Sequence, residues 1–148
     1  MATAVFFHAH PDDEALATGG TMALLADQGH RVVLVVATNG EEGEPVDGVL
    51  AEGEALGDRR ATEVAEAAAI LGAARVEYLG YRDSGMAGEA TNEHPGCFWQ
   101  ADVDEAAARL GELLADEHVD LAVVYDPDGG YGHRSEERRV GKECRSRW

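Results

Sequence analysis

Residues that could bind a metal ion and move a proton follow the first apolar run of the chain. That run, 4–8 (AVFFH), leads through one alanine into His10-Pro11-Asp12-Asp13-Glu14. Histidine nitrogens and aspartate oxygens are common zinc ligands. Of two adjacent carboxylates, one can bind the metal while the other accepts a proton from water whose pKa the zinc lowers. Each residue alone is more typical of an acidic helix start, but the five in this order predict half of a hydrolytic zinc site.

A second polar group lies in the glycine-rich segment 125–133 (YDPDGGYGH). Glycines there would let the backbone approach a ligand closely. His133 could act as a general acid or stabilise an oxyanion, although a solvated loop histidine is an equally good interpretation of this residue alone. The nucleotide-binding motifs GxGxxG and GxxxxGK[ST] are absent from the sequence, as is the GxSxG motif of serine esterases. The sequence therefore favours metal-assisted chemistry.

Both polar groups are predicted to lie at one edge of a parallel sheet. The β-branched run 31–37 (RVVLVVA) is typical of a strand covered on both faces. Alternating strands and helices predict an α/β fold, a Rossmann-like three-layer sandwich with a mainly parallel sheet and right-handed crossovers. Loops beginning near His8, Thr38 and Asp126 each follow a strand and converge at the carboxyl edge, where such sheets bind ligands. Strands are predicted at 4–8, 31–37, 76–79 and 121–125, and helices from Pro11 to a stop at Gly29 and over 58–71 and 102–117.

Composition limits the class of partner. The net charge of -17 disfavours nucleic acid and anionic membranes as partners. No apolar stretch is long enough to span a membrane, and no basic segment precedes the first apolar run, so we expect neither a membrane anchor nor a secretory signal. Cys97 and Cys144 form no disulfide framework, which predicts a cytoplasmic protein. The oligomeric state is left open.

The composition changes abruptly after His133. Residues 134–148 hold six of the twelve basic residues, including the chain's lysine, and only three acidic ones, which leaves 6 basic and 26 acidic residues in 1–133. This segment, RSEERRVGKECRSRW, resembles a translated sequencing adapter. We therefore expect 1–133 to be the N-terminal part of a single domain, truncated at its C-terminus, and 134–148 to be a non-native tail. A basic disordered tail is the alternative, and genomic DNA encoding these fifteen residues at that place would favour it.

The two polar segments together resemble the motifs of PIG-L/LmbE-type N-deacetylases. The segment His10 to Glu14 is similar to the first motif of that family, and 129–133 (GGYGH) to the start of the second. The resemblance covers essentially all of 4–133. The strings NGEEGE, YRDSGMAG and FWQADVDEA look closest to the actinobacterial branch that deacetylates N-acetylglucosaminyl-inositol in mycothiol biosynthesis. The resemblance implies a zinc-dependent hydrolase that removes the N-acetyl group of an amino sugar.

Catalytic roles follow from this resemblance. His10 and Asp13 would ligate zinc, and Asp12 would be the general base. His133 would protonate the leaving amine or stabilise the tetrahedral intermediate, with Tyr131 beside it at the oxyanion. A His/carboxylate site also suits Fe²⁺.

Three further residues match positions that the resemblance assigns to sugar or inositol hydroxyls, namely Glu44, Arg60 and Asp83. Surface ion pairs are the alternative interpretation of these three residues. Arg82 has Asp83 as an obvious local partner, and Phe98 and Trp99 are more typical of packing than of sugar stacking.

The chain departs from the family pattern directly after His133. The second motif continues there through Pro-Asp to a histidine that supplies the third zinc ligand, whereas this chain reads Arg134-Ser135-Glu136. Glu136 stands at the third-ligand position, and glutamate can bind zinc. Without the family's usual continuation, we expect a chain of low stability that binds zinc weakly and is inactive as written.

Two other functions remain open. Within the same chemistry, the substrate could be a mycothiol conjugate, cleaved by an amidase, or another N-acylated glucosamine compound. From a different class, the chain could be a non-catalytic sugar- or metal-binding module. Asp12 argues against a non-catalytic module, because a pure binding module has no use for a general base.

Overall fold

The four predicted strands form one parallel sheet in the computed structural model, which describes residues 1–126 and 129–137. The order across the sheet is β3-β2-β1-β4, and each neighbouring pair is parallel. The predicted α/β fold with a parallel sheet is thus confirmed. The strands are β1 (Thr3–His8), β2 (Arg31–Thr38), β3 (Arg75–Tyr81) and β4 (Leu121–Val123). Compared with the predictions, β3 is longer, and β4 ends before Val124 and Tyr125.

Helices cover both faces of this sheet, as expected for three layers. One hydrophobic cluster joins Phe7 and Val35 of the sheet to Leu110, while the other joins Phe6 and Leu34 to Met22 and Val64. The central strands are therefore apolar on both sides, which explains the near-continuous β-branched run in β2. The helices are α1 (Gly19–Asp27), α2 (Leu56–Ile70) and α3 (Val103–Leu113). No helix in the described ranges is long and apolar enough to cross a membrane.

The first helix begins later than predicted. A helix starting at Pro11 is wrong, because Asp12 has a φ of 91° and a π-helical turn at Glu14–Thr18 precedes α1. Leu16 and Leu24, whose spacing supported the predicted helix, are 82% and 55% exposed.

The third helix ends before its predicted boundary. A final turn follows Leu113 and brings Glu117 to Arg31 and Arg75 instead of continuing the helix. Residues 127–128 of the glycine-rich loop and 138–148 of the predicted tail lie outside the described residues.

The strand order creates a switch point beside β1. The chain proceeds from β1 to β2 and β3 on one side, and β4 then pairs with the opposite edge of β1. In open α/β sheets, ligands bind in the crevice at the carboxyl ends of strands where the order reverses. Residues that follow β1 and β4 are therefore the first to consider as a site.

At the opposite end of the sheet, Glu117 ties two strands to the turn after α3. Its carboxylate accepts hydrogen bonds from Arg31 Nε and Nη2 at 2.8 and 2.7 Å and from Arg75 Nη1 at 3.2 Å, and its side chain is 6% exposed. We expect Glu117→Gln to lower the free energy of unfolding by about 1–3 kcal/mol, because both guanidinium groups lose a charged partner. Urea denaturation at neutral pH measures this loss.

The hydrogen bonds of Glu117 with the two arginines also predict a loss of stability in acid. Hydrogen bonds from Arg31, opposed by burial, lower the pKa of Glu117 from 4.5 to about 2. The stabilisation is therefore present above pH 4.5 and is lost as the pH falls toward 2. Glu117→Gln should lack this component. Glu105→Gln is the matched control, since Glu105 pairs with Arg109 at 3.5 Å on an exposed helix face and should contribute only about 0.5 kcal/mol or less. Equal losses in both variants would contradict the prediction.

Candidate active site

The segment after β1 holds Asp12 in a strained backbone conformation. A φ of 91° is uncommon for a residue with a side chain, and such conformations persist only where the surroundings enforce them. The amide of Asp12 donates to Glu14 Oε2 at 3.0 Å, and Glu14 is 1% exposed. Thr38 Oγ1 donates to the carbonyl of Ala9 at 3.0 Å and ties the segment to β2. These contacts hold the acidic segment at the carboxyl edge of the sheet.

His10 is buried among carboxylates. Its Nδ1 lies 3.4 Å from Asp13 Oδ2 and 3.8 Å from Glu136 Oε1, and its Nε2 lies 3.1 Å from Asp83 Oδ1. The contact to Asp83 is an ion-pair distance without hydrogen-bond geometry. Burial lowers the pKa of His10, but Asp13 and Asp83 outweigh burial and raise it to about 9. The imidazole of His10 is thus surrounded by three carboxylates, an environment that also suits a cation.

Asp13, the other predicted metal ligand of the first motif, is held by two donors. The amide of His10 donates to Asp13 Oδ2 at 3.1 Å, and the Tyr125 hydroxyl donates to the same oxygen at 2.5 Å. Burial raises the pKa of Asp13, but contacts with His10 and Tyr125 outweigh it and leave the pKa below its usual value. Tyr125 was not among the predicted site residues, because the contact spans 112 residues of sequence.

Arg60 connects α2 to Asp12, the predicted base. Arg60 Nη2 donates to Asp12 Oδ2 at 2.8 Å, and Nη1 donates to the carbonyl of Gly40 at 2.9 Å. A Cβ at Gly40 would lie 2.1 Å from Nη1, and the φ of this glycine is +64°, so the approach requires glycine. Burial and the charge of Asp13 raise the pKa of Asp12 more than Arg60 lowers it. The structure therefore places Arg60 at the site, in contact with Asp12.

The other two predicted substrate-binding residues lie in different surroundings. Glu44 is exposed and lines an open cavity of about 150 Å³ together with Arg60 and the apolar side chains of Val46 and Leu56. Asp83 is 2% exposed, faces His10 and accepts from Ser135 Oγ at 3.2 Å. The structure does not bring Glu44 into the carboxylate group around His10.

The predicted pairing of Arg82 with Asp83 is wrong. Arg82 Nη2 instead donates to Glu42 in the loop after β2, while Asp83 turns inward to His10. Neighbours in an extended segment point to opposite sides, so one of the two is directed to solvent and the other to the site.

His133 reaches the site from the glycine-rich loop. Its ring lies edge-to-face with that of His10, with centroids 4.2 Å apart. The ring centroid of Tyr131 lies 6.3 Å from that of His133. Burial and the neighbouring His10 lower the pKa of His133. Tyr131 is 68% exposed, and burial of its hydroxyl together with the Glu136 carboxylate raises its pKa to about 12. The structure therefore brings His133 next to His10, and Tyr131 next to His133.

Glu136 also lies next to His10 and is carried by the turn that follows His133. It is 3% exposed, and burial and the charge of Asp13 raise its pKa to about 7. A Cβ at Gly129, where φ is +69°, would lie 2.5 Å from the amide nitrogen of Glu137, so the loop closes over this turn only with glycine. The glycines of this motif therefore let the loop pack on the turn that carries Glu136.

These side chains have the composition of a metal site. Two groups, His10-Asp13-Glu136 and His10-Asp83-His133, each bring ligand atoms within 4.8 Å of one another. His10 Nε2, His133 Nδ1 and Glu136 Oε1 are buried and lack a hydrogen-bond partner in the described part of the chain. Unpartnered buried polar atoms are costly, and a cation beside them would remove that cost. The donor set of imidazole and carboxylate suits zinc or iron.

Comparison with known proteins relates the chain to deacetylases. It is 49% identical over 136 residues to the 1D-myo-inositol 2-acetamido-2-deoxy-alpha-D-glucopyranoside deacetylase of Thermobifida fusca, covering 85% of this chain and 47% of the relative. The chain spans about half the length of the curated relatives it matches.

Two solved structures share the fold. The N,N'-diacetylchitobiose deacetylase of Pyrococcus horikoshii is 25% identical with a TM-score of 0.73, over 97% of this chain and 48% of that one. The 4-carboxy-2-hydroxymuconate hydratase GalB of Pseudomonas putida KT2440 is 26% identical with the same TM-score of 0.73, over 99% and 56%. The family profile described as PIG-L, GlcNAc-PI de-N-acetylase, matches residues 5–138. The chain belongs to the PIG-L family.

Proposed function

We propose that the protein is a metal-dependent N-deacetylase that hydrolyses the N-acetyl group of an amino sugar of the N-acetylglucosaminyl-inositol type. The observation that carries the proposal is the His10-Asp13-Glu136 group with Asp12 beside it at the carboxyl edge of the sheet. Sequence identity near one half with deacetylases named for this substrate supports the substrate class.

The proposed metal is zinc, held by His10, Asp13 and the residue at position 136. When bound, the ion acts as a Lewis acid that activates water and polarises the acetyl carbonyl. The side chains present fit it, since they offer one imidazole and two carboxylates with an unpartnered buried oxygen on Glu136. Fe²⁺ suits the same donors, and metal analysis of the purified protein distinguishes the two.

The reaction requires one base and one acid on this chain. Asp12 accepts a proton from the water, whose oxygen forms a bond to the acetyl carbon. The bond between that carbon and the sugar nitrogen then breaks, and His133 donates a proton to the leaving amine. The proton taken up by Asp12 passes through solvent to His133, so that both groups return to their starting states. Acetate and the free amine are the products. Tyr131 donates a hydrogen bond to the former carbonyl oxygen as negative charge develops on it.

Substrate hydroxyls are proposed to contact Arg60, Glu44 and Asp83. Arg60 lines two neighbouring cavities, one shared with Asp12 and the other with Glu44, and the second is proposed to hold the part of the substrate beyond the amino sugar. Asp83 is deeply buried and contacts His10, so its contribution to hydroxyl binding requires substrate to enter close to the metal ligands.

One assay of acetate release distinguishes the proposed deacetylase from related enzymes. Acetate release is measured with the protein from the complete gene on N-acetylglucosaminyl-inositol, N,N'-diacetylchitobiose and a mycothiol conjugate. We expect the first substrate to give the highest kcat/KM, whereas preference for the conjugate would identify an amidase. No release from any N-acylated amino sugar would refute the class, and binding without turnover would support a non-catalytic module.

The fold alone does not select this activity, because a hydratase shares it at the same TM-score as a deacetylase. A cytoplasmic location is part of the proposal. It rests on the two cysteines, of which Cys97 is a buried free thiol and Cys144 lies outside the described residues.

A further inference from the structure

We propose that Tyr125 is a positioning residue of the metal centre: its hydroxyl holds the Asp13 carboxylate in the orientation in which it binds the cation. This inference rests on the metal site of the proposed function. It adds a residue that the two sequence motifs did not indicate, because Tyr125 lies eight residues before His133 and outside the GGYGH string.

The hydroxyl of Tyr125 lies between the two strand ends that build the site. Tyr125 follows β4, and β4 pairs with β1 through residues 121–123. At that place the hydroxyl accepts a hydrogen bond from the amide of Ala9 at 3.2 Å and donates one to Asp13 Oδ2 at 2.5 Å. Because a backbone N–H occupies one side of the hydroxyl oxygen, its own proton is directed to the carboxylate.

Asp13 is fixed through its Oδ2 oxygen. Oδ2 accepts hydrogen bonds from Tyr125 and from the amide of His10, and it lies 3.4 Å from His10 Nδ1, the nitrogen that also faces Glu136. The two hydrogen bonds therefore set the orientation of the carboxylate next to the other candidate ligands. Hydrogen bonds that orient a ligand in this way raise its metal affinity.

The tyrosine ring is itself held in place. It lies edge-to-face with the ring of His8, with centroids 5.9 Å apart and an angle of 88° between the planes. His8 is 3% exposed, and its Nε2 is hydrogen-bonded with Thr18 Oγ1 at 2.8 Å. These contacts hold the ring in place, so the hydroxyl is positioned before any ligand arrives and acts by orienting Asp13.

The test is zinc affinity of the 148-residue chain, measured by competition with a chromogenic chelator. We expect Tyr125→Phe to weaken zinc binding by about 10- to 100-fold, the usual effect of removing a hydrogen bond to a metal ligand. Tyr78→Phe is the matched control, because it removes another buried hydroxyl that has no hydrogen-bond partner in the described ranges. It should change zinc affinity less than twofold.

A double-mutant cycle separates positioning from a general effect on folding. In an Asp13→Ala background, Tyr125→Phe should cause no further loss of affinity, because the carboxylate through which it acts is gone. Tyr125→Phe should also lower the metal-free melting temperature more than Tyr78→Phe does, because it removes two hydrogen bonds, and the Asp13→Ala background shows whether that loss of stability by itself changes zinc affinity. Unchanged affinity in Tyr125→Phe, or the same loss with and without Asp13, would overturn the inference while leaving the metal site intact. A parent chain that binds no zinc would overturn the inference together with the assignment of Glu136 as a ligand, whereas the deacetylase activity is tested separately by acetate release from the protein of the complete gene.

Discussion

Asp12→Asn is expected to lower kcat for acetate release by about 10²- to 10⁴-fold, the usual contribution of a general base. Asparagine is a better replacement than alanine, because Asp12 has a φ of 91° and asparagine tolerates positive φ. The amide also keeps an oxygen that can accept from Arg60. The variant thus removes the proton acceptor while keeping the local geometry, and the loss should fall on kcat more than on KM. Steady-state assays on the protein from the complete gene measure both constants.

Two controls identify the cause of that loss. Zinc content should be the same in Asp12→Asn as in the parent protein, because Asp12 is outside both groups of candidate ligands. Asp27→Asn makes the same chemical change at the exposed end of α1 and should leave kcat unchanged. If Asp12→Asn retained more than a tenth of the parent kcat with full zinc content, another group would have to take the proton.

The sheet and the location of the site could be predicted from sequence because each depends on local pattern. The run in β2 is apolar at every position from Val32 to Ala37, and all of these residues are buried. Strand direction then determined which loops meet, so His10 and His133 were expected at one edge, and their rings lie 4.2 Å apart. The alternation of strands and helices predicted the α/β fold in which these loops meet.

What was missed depends on contacts between distant segments. The conformation of Asp12 and the π-helical turn after it require the buried carboxylate of Glu14, whose burial is set by packing and not by helix propensity. The same holds for Arg82, which pairs with Glu42 forty residues away. Tyr125 approaches Asp13 only because β4 lies beside β1, and strand order is not encoded in any one segment.

The position of residue 136 is set by the loop more than by its side chain. Gly129 packs against the backbone of 136–137, and the amide of Glu136 donates to the carbonyl of His133 at 3.1 Å. Any side chain at 136 would therefore be directed toward His10. A histidine at this position would therefore face the same group as Glu136 does.

Glu136→Ala is expected to weaken zinc binding by the 148-residue chain about a hundredfold. Structural zinc sites bind with about 10–16 kcal/mol shared among four ligands, so one ligand contributes roughly 3 kcal/mol. Glu136 is 3% exposed and its Oε1 lies 3.8 Å from His10 Nδ1, so the lost carboxylate has no substitute at the same place within the described residues. Glu136→His should bind zinc at least as tightly as the parent, because imidazole supplies a neutral nitrogen without the cost of burying a charge.

The neighbouring glutamate provides the matched control for this prediction. Glu137 pairs with Arg134 at 2.5 Å and belongs to neither group of candidate ligands, so Glu137→Ala removes a carboxylate of equal size from the same turn. Zinc affinity, measured by chelator competition, should be unchanged in Glu137→Ala. Equal affinities of Glu136→Ala and the parent chain would show that position 136 does not bind the ion. The ligands would then be sought in the second group, where His10 meets Asp83 and His133.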